Sequence, residues 1–288
     1  TRCRALSSRK TMIQDLGNSV FNNQFANRRE AKADDFVFAF NLHKEVLIKE
    51  VVTDNDPVIL PKAKLFEKTS LIYLFSIDDK AYFLSQEAKL LPGFAYKSVQ
   101  ILRKDNPRVT SFALATAFHL FTWYQKTQYC GACASKLVPS TQERAMICPH
   151  CGQIYYPTIA PAIIVAITDG DKVVVTTYKD RVYRGVALIA GFCEIGESAE
   201  ATAKREAFEE VGLKIKDLKY FGSQPWGLDS NLLVGYMATV DGDTTIKRDE
   251  NELAQAQWMS REEPPPKESD NSLTKTMLKY FKEHGNDL

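Results

Sequence analysis

The alternation of apolar and polar positions changes along the chain and predicts regions of different structure. Up to about Asn106, short apolar runs such as DDFVFAFN, KEVLIKEVV and SLIYLFSIDDKAYFLS alternate with polar turns, a pattern typical of strands and hairpins. From Ser111 to Gln128, apolar residues recur at helical spacing and predict a buried or interfacial helix. After Tyr155, apolar runs flank the turn sequence Thr168–Asp171 and predict a further hairpin.

The second half of the chain mixes strands and helices. Ser198 has the character of an N-cap, the stretch from Ala199 to Val211 lacks Gly and Pro, and Gly212 stands where a left-handed residue ends a helix. The further expected elements are strands at 186–192, 218–221, 232–240 and 257–259, a stop at Pro264–Pro266, and a closing helix at 272–283. This order predicts a mixed sheet with helices on both faces, an α/β/α sandwich in an α+β chain.

Chain length and composition indicate the number of domains and exclude some classes of protein. A chain of 288 residues with 44% apolar residues can form two domains. A net charge of +1 gives no electrostatic case for a dedicated DNA or membrane binder, and we expect no membrane partner. The basic leader TRCRALSSRKT lacks an apolar core, so we expect residues 1–11 to be a tag or a disordered leader.

Four of the six cysteines predict a metal site. Cys130 and Cys133 form one CxxC pair, and Cys148 and Cys151 form a second pair after fourteen residues. Two such pairs can close a tetrahedral shell around one structural Zn²⁺, whereas a redox dithiol, the alternative, needs only one pair. A chain that keeps such thiols reduced is expected in the cytoplasm. His150, inside the second pair, is expected to be a bystander, and His119 a packed core histidine.

The helix after Ser198 carries a row of glutamates. Glu206, Glu209 and Glu210 stand three and four residues apart and therefore share one face. Like charges at this spacing cost roughly 0.2–0.5 kcal/mol per pair, which favours a bound hard cation such as Mg²⁺. A solvated acidic face is the alternative. Carboxylates that hold such a cation next to a glycine-containing loop suit hydrolysis of a phosphoanhydride.

The stretch GFCEIGESAEATAKREAFEEVGL, from Gly191 to Leu213, resembles the Nudix box at every specified position if Ala207 is accepted as the small apolar residue. With the four cysteines, YYPTIAPAIIVAI and SQPW, it makes the chain similar to the NADH pyrophosphatase family of Nudix hydrolases. The resemblance implies a Nudix sandwich preceded by a zinc ribbon and a β-rich N-terminal domain. The expected boundaries are 12–127, 128–155 and 156–288.

What the family does is an expectation for this chain. Its members split NADH or NAD⁺ into nicotinamide mononucleotide and AMP with Mg²⁺ or Mn²⁺, carry structural zinc and form homodimers, and some remove NAD caps from RNA. The resemblance implies divalent-cation contacts from the Ala190 carbonyl, Glu206, Glu210 and Glu252. Glu209 is a third ligand or a water-orienting group, and Arg205 is expected to pair with Glu197. The implied substrate contacts are Glu143, Tyr156, Phe192, Gln224, Pro225, Trp226, Asp229, Ser230 and Asn231.

The segment after the box departs from the family pattern SQPWPFPxS. Here it continues after Trp226 as Gly227-Leu228-Asp229-Ser230-Asn231, without the two prolines and the phenylalanine. The departure affects the substrate prediction more than the reaction. Two alternatives therefore remain: a Nudix hydrolase of another nucleoside diphosphate derivative such as ADP-ribose, and a sensing module without turnover.

Overall fold

The computed structural model describes residues 12–50, 53, 56–104, 106–179, 185–263 and 272–287. The chain divides into two compact units that are each discontinuous in sequence. One comprises Leu16–Ile159 with Trp226–Ser230, and the other Thr1–Asp15, Ala160–Pro225 and Asn231–Leu288. We call them the ribbon unit and the sandwich unit. Among the described residues, no helix combines the length and apolarity that a membrane crossing requires.

The ribbon unit is rich in β-structure, as its sequence pattern predicts. A four-stranded sheet has the order β1-β4-β5-β2, and β3 pairs with β6. The strands are β1 (Phe21–Asn22), β2 (Phe36–Phe38), β3 (Glu45–Lys49), β4 (Leu71–Ile77), β5 (Lys80–Ser85) and β6 (Phe94–Ser98). The predicted turn at Asp78-Asp79 joins β4 and β5, and Asp78 adopts a positive φ of 54° there.

A long helix, α1 (Arg108–Lys126), follows these strands. Aromatic residues of α1 pack on rings of the β-rich part. The ring centroids of Phe112 and Phe21 are 4.8 Å apart, and those of the stacked pair Phe121 and Phe40 are 4.6 Å apart. The core position predicted for His119 is wrong. Its side chain is only partly buried, and Nε2 lies 2.9 Å from the Thr158 carbonyl oxygen.

The cysteine segment forms a small sheet of three short strands, β7 (Val138–Pro139), β8 (Met146–Ile147) and β9 (Ile154–Tyr155). It does not separate from the β-rich part as a compact unit of its own, contrary to the expected boundary at 128. Hydrogen bonds explain the difference. Arg144 donates to the Leu74 carbonyl, and Arg28 donates to the Thr141 carbonyl.

The sandwich unit is built on a six-stranded mixed sheet. Its order is β13-β14-β10-β11-β15, with β12 also paired to β10; β10 runs parallel to β14 and antiparallel to β11 and β12. The elements are β10 (Ala160–Asp169), β11 (Lys172–Tyr178), β12 (Ile189–Phe192), α2 (Ala199–Val211), β13 (Ile215–Trp226), β14 (Asn231–Val240), β15 (Leu253–Ser260) and α3 (Leu273–His284). Only the last residue of β13, Trp226, is counted with the ribbon unit.

Alternation along β10 gives the sheet two apolar faces. Ile163, Val165 and Ile167 belong to the core shared with α2, whereas Ile164 and Ala166 belong to the core shared with α3. Because successive strand side chains point to opposite faces, one apolar run covers both layers. The predicted α/β/α sandwich is therefore confirmed.

Two boundaries differ from the sequence prediction. The sequence predicts a short strand at 218–221, but the structure has the longer continuous strand β13, which also includes 223–226. Residues 12–15 were assigned to the N-terminal domain but belong to the sandwich unit, where Ile13 is fully buried and Gln14 donates to the Ser223 carbonyl. The predicted leader at 1–11 and the stop at Pro264–Pro266 lie outside the described residues.

Candidate active site and zinc centre

Local sequence signals position the acidic helix α2. The Ser198 hydroxyl accepts a hydrogen bond from the Ala201 backbone N–H, and Gly212 ends the helix with a φ of 71°. Both predicted caps are confirmed. The apolar stripe of Ala203, Ala207 and Val211 packs into the sheet, which fixes the rotation of the helix.

This rotation gives the three glutamates different surroundings. Glu210 is 2% exposed, the Glu206 side chain 12% and the Glu209 side chain 57%. Glu206 and Glu210, one turn apart, thus lie at the protein interior, whereas Glu209 faces solvent. A carboxylate buried in this way requires a partner that offsets the loss of water.

Arg205 joins the glutamates of the loop and the helix. Its Nε lies 2.8 Å from Glu197 Oε1, as predicted, and its Nη1 lies 2.8 Å from both Glu206 and Glu209. Its Nη2 also donates to the Phe192 carbonyl. The Arg205 guanidinium, with hydrogen bonds from Glu194 N–H and the Thr202 hydroxyl, lowers the pKa of Glu197 to about 2. The same network raises the pKa of Arg205.

Gly191 allows the strand before the loop to approach Glu206. A Cβ atom placed on Gly191 would lie 2.0 Å from Glu206 Cδ and 2.0 Å from its Oε1. The glutamate carboxylate therefore occupies the space of the missing side chain. Burial raises the pKa of Glu206, partly offset by Arg205, and the nearby charges of Glu209 and Glu252 raise it further.

Sequence reasoning missed Tyr178, at the end of β11. The Tyr178 hydroxyl lies 3.2 Å from the Ala190 carbonyl oxygen and 3.2 Å from Glu210 Oε1. The tyrosine therefore brings together two of the groups expected to hold a divalent cation. The only signal in the sequence is that Tyr178 lies an even number of residues after Val174, so both side chains point to the same face of β11. The next strand along the chain, β12, leads into the box.

Glu252 reaches the same region through the pairing of β11 with β15. Leu253 is the register partner of Tyr178, and the Lys179 N–H donates to the Glu252 carbonyl at 2.8 Å. The Glu252 side chain is exposed. The charge of Glu252 is one of the causes that raise the pKa of Glu206.

These residues suit a hard divalent cation. Among the described residues, only the four cysteines bring three or more metal-ligand side chains within 4.8 Å of one another, so the glutamates do not form a closed shell. Mg²⁺ does not need one, because it keeps several waters and uses one or two carboxylates together with phosphate oxygens. Buried Glu210, partly buried Glu206 and the Ala190 carbonyl could supply that partial shell.

The four cysteine sulfurs form a compact cluster. Sulfur–sulfur distances are 3.5 Å for Cys130–Cys151, 3.4 Å for Cys133–Cys148 and 3.7 Å for Cys133–Cys151. A tetrahedral zinc site with bonds of about 2.3 Å has edges of about 3.8 Å, so the cluster fits Zn²⁺. A hydrogen bond from the Tyr155 hydroxyl lowers the pKa of Cys130 to about 6, which favours the thiolate that zinc binds.

The predicted substrate residues in the ribbon unit fall into two places. Tyr156 is 54% exposed and donates a hydrogen bond of 2.8 Å to Glu143, so these two side chains meet at the surface. Asp229 and Ser230 instead line a cleft of about 460 Å³. The cleft also contains Lys44, Arg103, Thr122 and Lys126.

Trp226 does not present an open ring in this structure. Its side chain is 7% exposed, and the Arg103 guanidinium lies 4.8 Å from the ring centroid. The next residue explains the departure from the family pattern. A Cβ on Gly227 would lie 1.9 Å from the Ala115 carbonyl oxygen of α1, so a proline would overlap the helix backbone.

The remaining predicted contacts lie in the sandwich unit and differ in accessibility. Phe192 is 51% exposed and Pro225 is exposed, so both are open to a ligand. Gln224 is less accessible, because its side chain is fully buried and Oε1 accepts a 2.6 Å hydrogen bond from the Leu273 N–H; a substrate contact at this position stays a prediction. Asn231 is 6% exposed, and its Oδ1 finds no hydrogen-bond partner among the described residues.

Comparison with known proteins agrees with this geometry. Residues 158–281 match the family model of the NUDIX domain. The matched residues make up most of the sandwich unit, which is therefore similar to NUDIX domains. Residues 125–156 match the NADH pyrophosphatase zinc ribbon domain. The chain thus carries a NUDIX domain directly after a zinc ribbon of the NADH pyrophosphatase type.

Curated relatives share about half of the chain. A protein of Shigella boydii named NAD-capped RNA hydrolase NudC is 41% identical over 165 residues, which are 55% of this chain and 63% of the relative. A protein of the same name from Escherichia coli is 42% identical over 153 residues, which are 51% of this chain and 58% of the relative. The matched part thus spans about three fifths of each relative. A solved NUDIX hydrolase from Nitrosomonas europaea is 20% identical, with a TM-score of 0.48 over 54% of this chain and 90% of its own.

Proposed function

We propose that this protein hydrolyses the diphosphate bond of NADH or NAD⁺ to nicotinamide mononucleotide and AMP, and that it also removes NAD caps from RNA. The observation that carries the proposal is the pair of carboxylates, buried Glu210 and partly buried Glu206, one helical turn apart beside the Ala190 carbonyl. The relatives named NAD-capped RNA hydrolase support the choice of substrate.

The proposal assigns each residue a task. Glu206, Glu210, Glu252 and the Ala190 carbonyl would hold Mg²⁺ or Mn²⁺, an ion that when bound would supply charge neutralisation for the diphosphate and a more acidic water. Glu209, which is exposed, orients the attacking water. Arg205 keeps Glu197 and the loop in place and thereby fixes the backbone of Phe192. Gly191 leaves room for the Glu206 carboxylate.

The substrate contacts we propose are the accessible ones. Phe192 offers an exposed aromatic face to the nicotinamide ring, and stacking suits a flat ring that forms few specific hydrogen bonds. Pro225, in the sandwich unit, is also exposed. In the ribbon unit, the contacts that we propose are exposed Asp229, partly buried Ser230 and the surface pair Tyr156 and Glu143. Gln224 is left out because its oxygen bonds to Leu273.

Two further properties belong to the proposal. We expect a homodimer, as in the family that the sequence resembles, and light scattering of the purified protein tests this. We also expect the protein to act in the cytoplasm, because a zinc thiolate cluster requires reduced cysteines.

The test compares three substrates at equal concentration with Mg²⁺: NADH, ADP-ribose and an RNA that carries an NAD cap. The products are separated by chromatography. Formation of AMP and reduced nicotinamide mononucleotide from NADH, together with 5′-monophosphate RNA from the capped RNA, supports the proposal. Cleavage of ADP-ribose alone would identify another nucleoside diphosphate hydrolase. Tight NADH binding without products would identify a sensing module.

A further inference from the structure

Tyr178 is in the sandwich unit and outside the Nudix box, yet it contacts the groups that the proposed reaction needs. Alternation along β11 sets its direction. Val174 and Tyr178 belong to the core shared with α2, whereas Val173 and Val175 belong to the core shared with α3. The last side chain of this strand face therefore points toward the acidic helix.

A bulge in the neighbouring strand accompanies this position. Thr177 pairs with Gln255, but Tyr178 pairs with Leu253, so Ala254 is the extra residue. Bulges bend a strand and change the direction of side chains, and they are common beside active sites. This one lies beside Tyr178, two residues after Glu252.

The Tyr178 hydroxyl contacts two acceptors that come from different elements. The Ala190 carbonyl oxygen belongs to β12 and Glu210 Oε1 to α2, and each lies 3.2 Å from the phenolic oxygen. Both tyrosine and glutamate are at least 91% buried. A phenol has a single proton, so the Tyr178 hydroxyl donates to one of these acceptors at a time. Both acceptors nevertheless lie close to the same phenolic oxygen.

We infer that Tyr178 is a positioning residue for the divalent cation: its hydroxyl holds the Glu210 carboxylate and the Ala190 carbonyl together so that both face the same ion. The inference rests on the proposed function only in that this site holds a cation. Groups that orient metal ligands in this way typically change metal affinity 10- to 100-fold when they are removed.

The chain offers a matched control for the substitution Tyr178→Phe. Tyr236 is 5% exposed, belongs to the same core cluster, and donates a 2.9 Å hydrogen bond to Glu200 Oε1 on the same helix. Tyr236→Phe thus also removes one hydrogen bond from a buried phenol to a carboxylate of α2, but at Glu200, an exposed glutamate outside the site. A purely structural role would make the two variants behave alike.

The experiment measures Mn²⁺ binding to the full chain by electron paramagnetic resonance of the free ion, with zinc already loaded and no nucleotide present. We expect Tyr178→Phe to weaken Mn²⁺ binding about 10-fold or more and Tyr236→Phe to leave it within about 2-fold of wild type. Melting temperatures measured without Mn²⁺ show that both variants are folded.

Equal Mn²⁺ affinity in the Tyr178→Phe variant and the wild type would overturn the inference, and so would a wild type that binds no Mn²⁺. The substrate assignment is tested separately. If Mn²⁺ binding weakens as expected but NADH and capped RNA stay intact, the role of Tyr178 stands and the proposed substrates fail. If both substrates are cleaved but Mn²⁺ binding is unchanged in Tyr178→Phe, the inference alone fails.

Discussion

Arg205 shows how a single cation organises the acidic residues. Its guanidinium contacts three carboxylates: Glu197 in the loop, Glu206, which we propose as a ligand of the divalent ion, and Glu209, which we propose orients the water. The pair with Glu197 fixes the loop, while the contacts with Glu206 and Glu209 offset repulsion on the helix face. The arginine thus supports the site without itself needing to touch the substrate.

The pKa of Glu197 predicts how stability changes with pH. A carboxyl group whose pKa is lowered by folding, here to about 2, stabilises the folded state above its unfolded value of about 4.3, and this contribution is lost as the pH falls toward 2. We expect Glu197→Gln to reduce the free energy of unfolding at pH 7 and the difference from wild type to shrink between pH 4.5 and pH 3. Urea denaturation of both proteins at pH 7 and between pH 4.5 and pH 3 measures this difference in the free energy of unfolding. A difference independent of pH would contradict the ion-pair explanation.

Glu210→Gln tests the carboxylate at the centre of the site. The amide keeps the size of the side chain but removes its charge, so we expect the turnover rate with NADH to fall about 100-fold or more. Zinc content and the circular dichroism spectrum should not change. The control is Glu200→Gln on the same helix, which should retain most of the activity. Unaltered turnover in the Glu210 variant would remove this residue from the mechanism.

At the scale of elements, the loop after β13 is adapted to helix α1. Gly227 lies against the Ala115 carbonyl, and the Trp226 ring is covered by Arg103. The side chains at positions 226 and 227 are therefore restricted by their contacts with Arg103 and with the Ala115 carbonyl of α1. The altered residues after Trp226 are therefore consistent with the packing of this chain.

Gly227→Ala tests this packing. The added methyl group would lie 1.9 Å from a backbone oxygen, which cannot turn aside as a side chain could, so we expect destabilisation of about 1–3 kcal/mol. Chemical denaturation measures the loss. At Gly131 of the same unit, a Cβ would meet only the Tyr155 hydroxyl at 3.7 Å, and Gly131→Ala should change stability by less than about 0.5 kcal/mol. Equal effects would show that the Gly227 backbone can shift freely.

Features that depend on neighbouring residues in the chain could be predicted from the sequence. The caps of α2 at Ser198 and Gly212 and the pair Glu197–Arg205 are local, and the structure has them as expected. The bonds of Tyr178 to Ala190 and Glu210, and of Gln224 to Leu273, span 12 to 49 residues. No local spacing encodes such contacts, because they arise from strand pairing and helix packing. For this reason the sequence does not predict that Tyr178 contacts two residues of the site or that Gln224 bonds to the backbone of Leu273.

At the scale of the whole molecule, the cysteine cluster is separate in sequence from the acidic site and offers no open coordination position. Four thiolates complete a tetrahedral shell, so its zinc has a structural role. The segment that contains β7 to β9 has a small apolar core, whose buried residues are Leu137 and the cysteines Cys130 and Cys148. The metal must therefore supply much of the stability of this region.

Cys148→Ser tests that role. We expect the wild type to contain one zinc ion per chain by atomic emission and the variant to contain none. The variant should expose the ribbon to proteolysis near residues 130–155, because the metal-free segment loses its main stabilising bonds. His150→Ala, in the same knuckle, is the control and should retain zinc. A Cys148→Ser variant that keeps full zinc content would refute the four-cysteine site.

The discontinuous division of the chain affects attempts to cut it into fragments. Trp226–Ser230 belongs to the ribbon unit, although the residues on either side of it belong to the sandwich unit. A fragment that begins at Ala160 would carry the Trp226 indole, now 7% exposed, without the arginine that covers it. An aromatic surface of about 150–250 Å² would then promote self-association. Expression of such a fragment therefore calls for a polar replacement at Trp226.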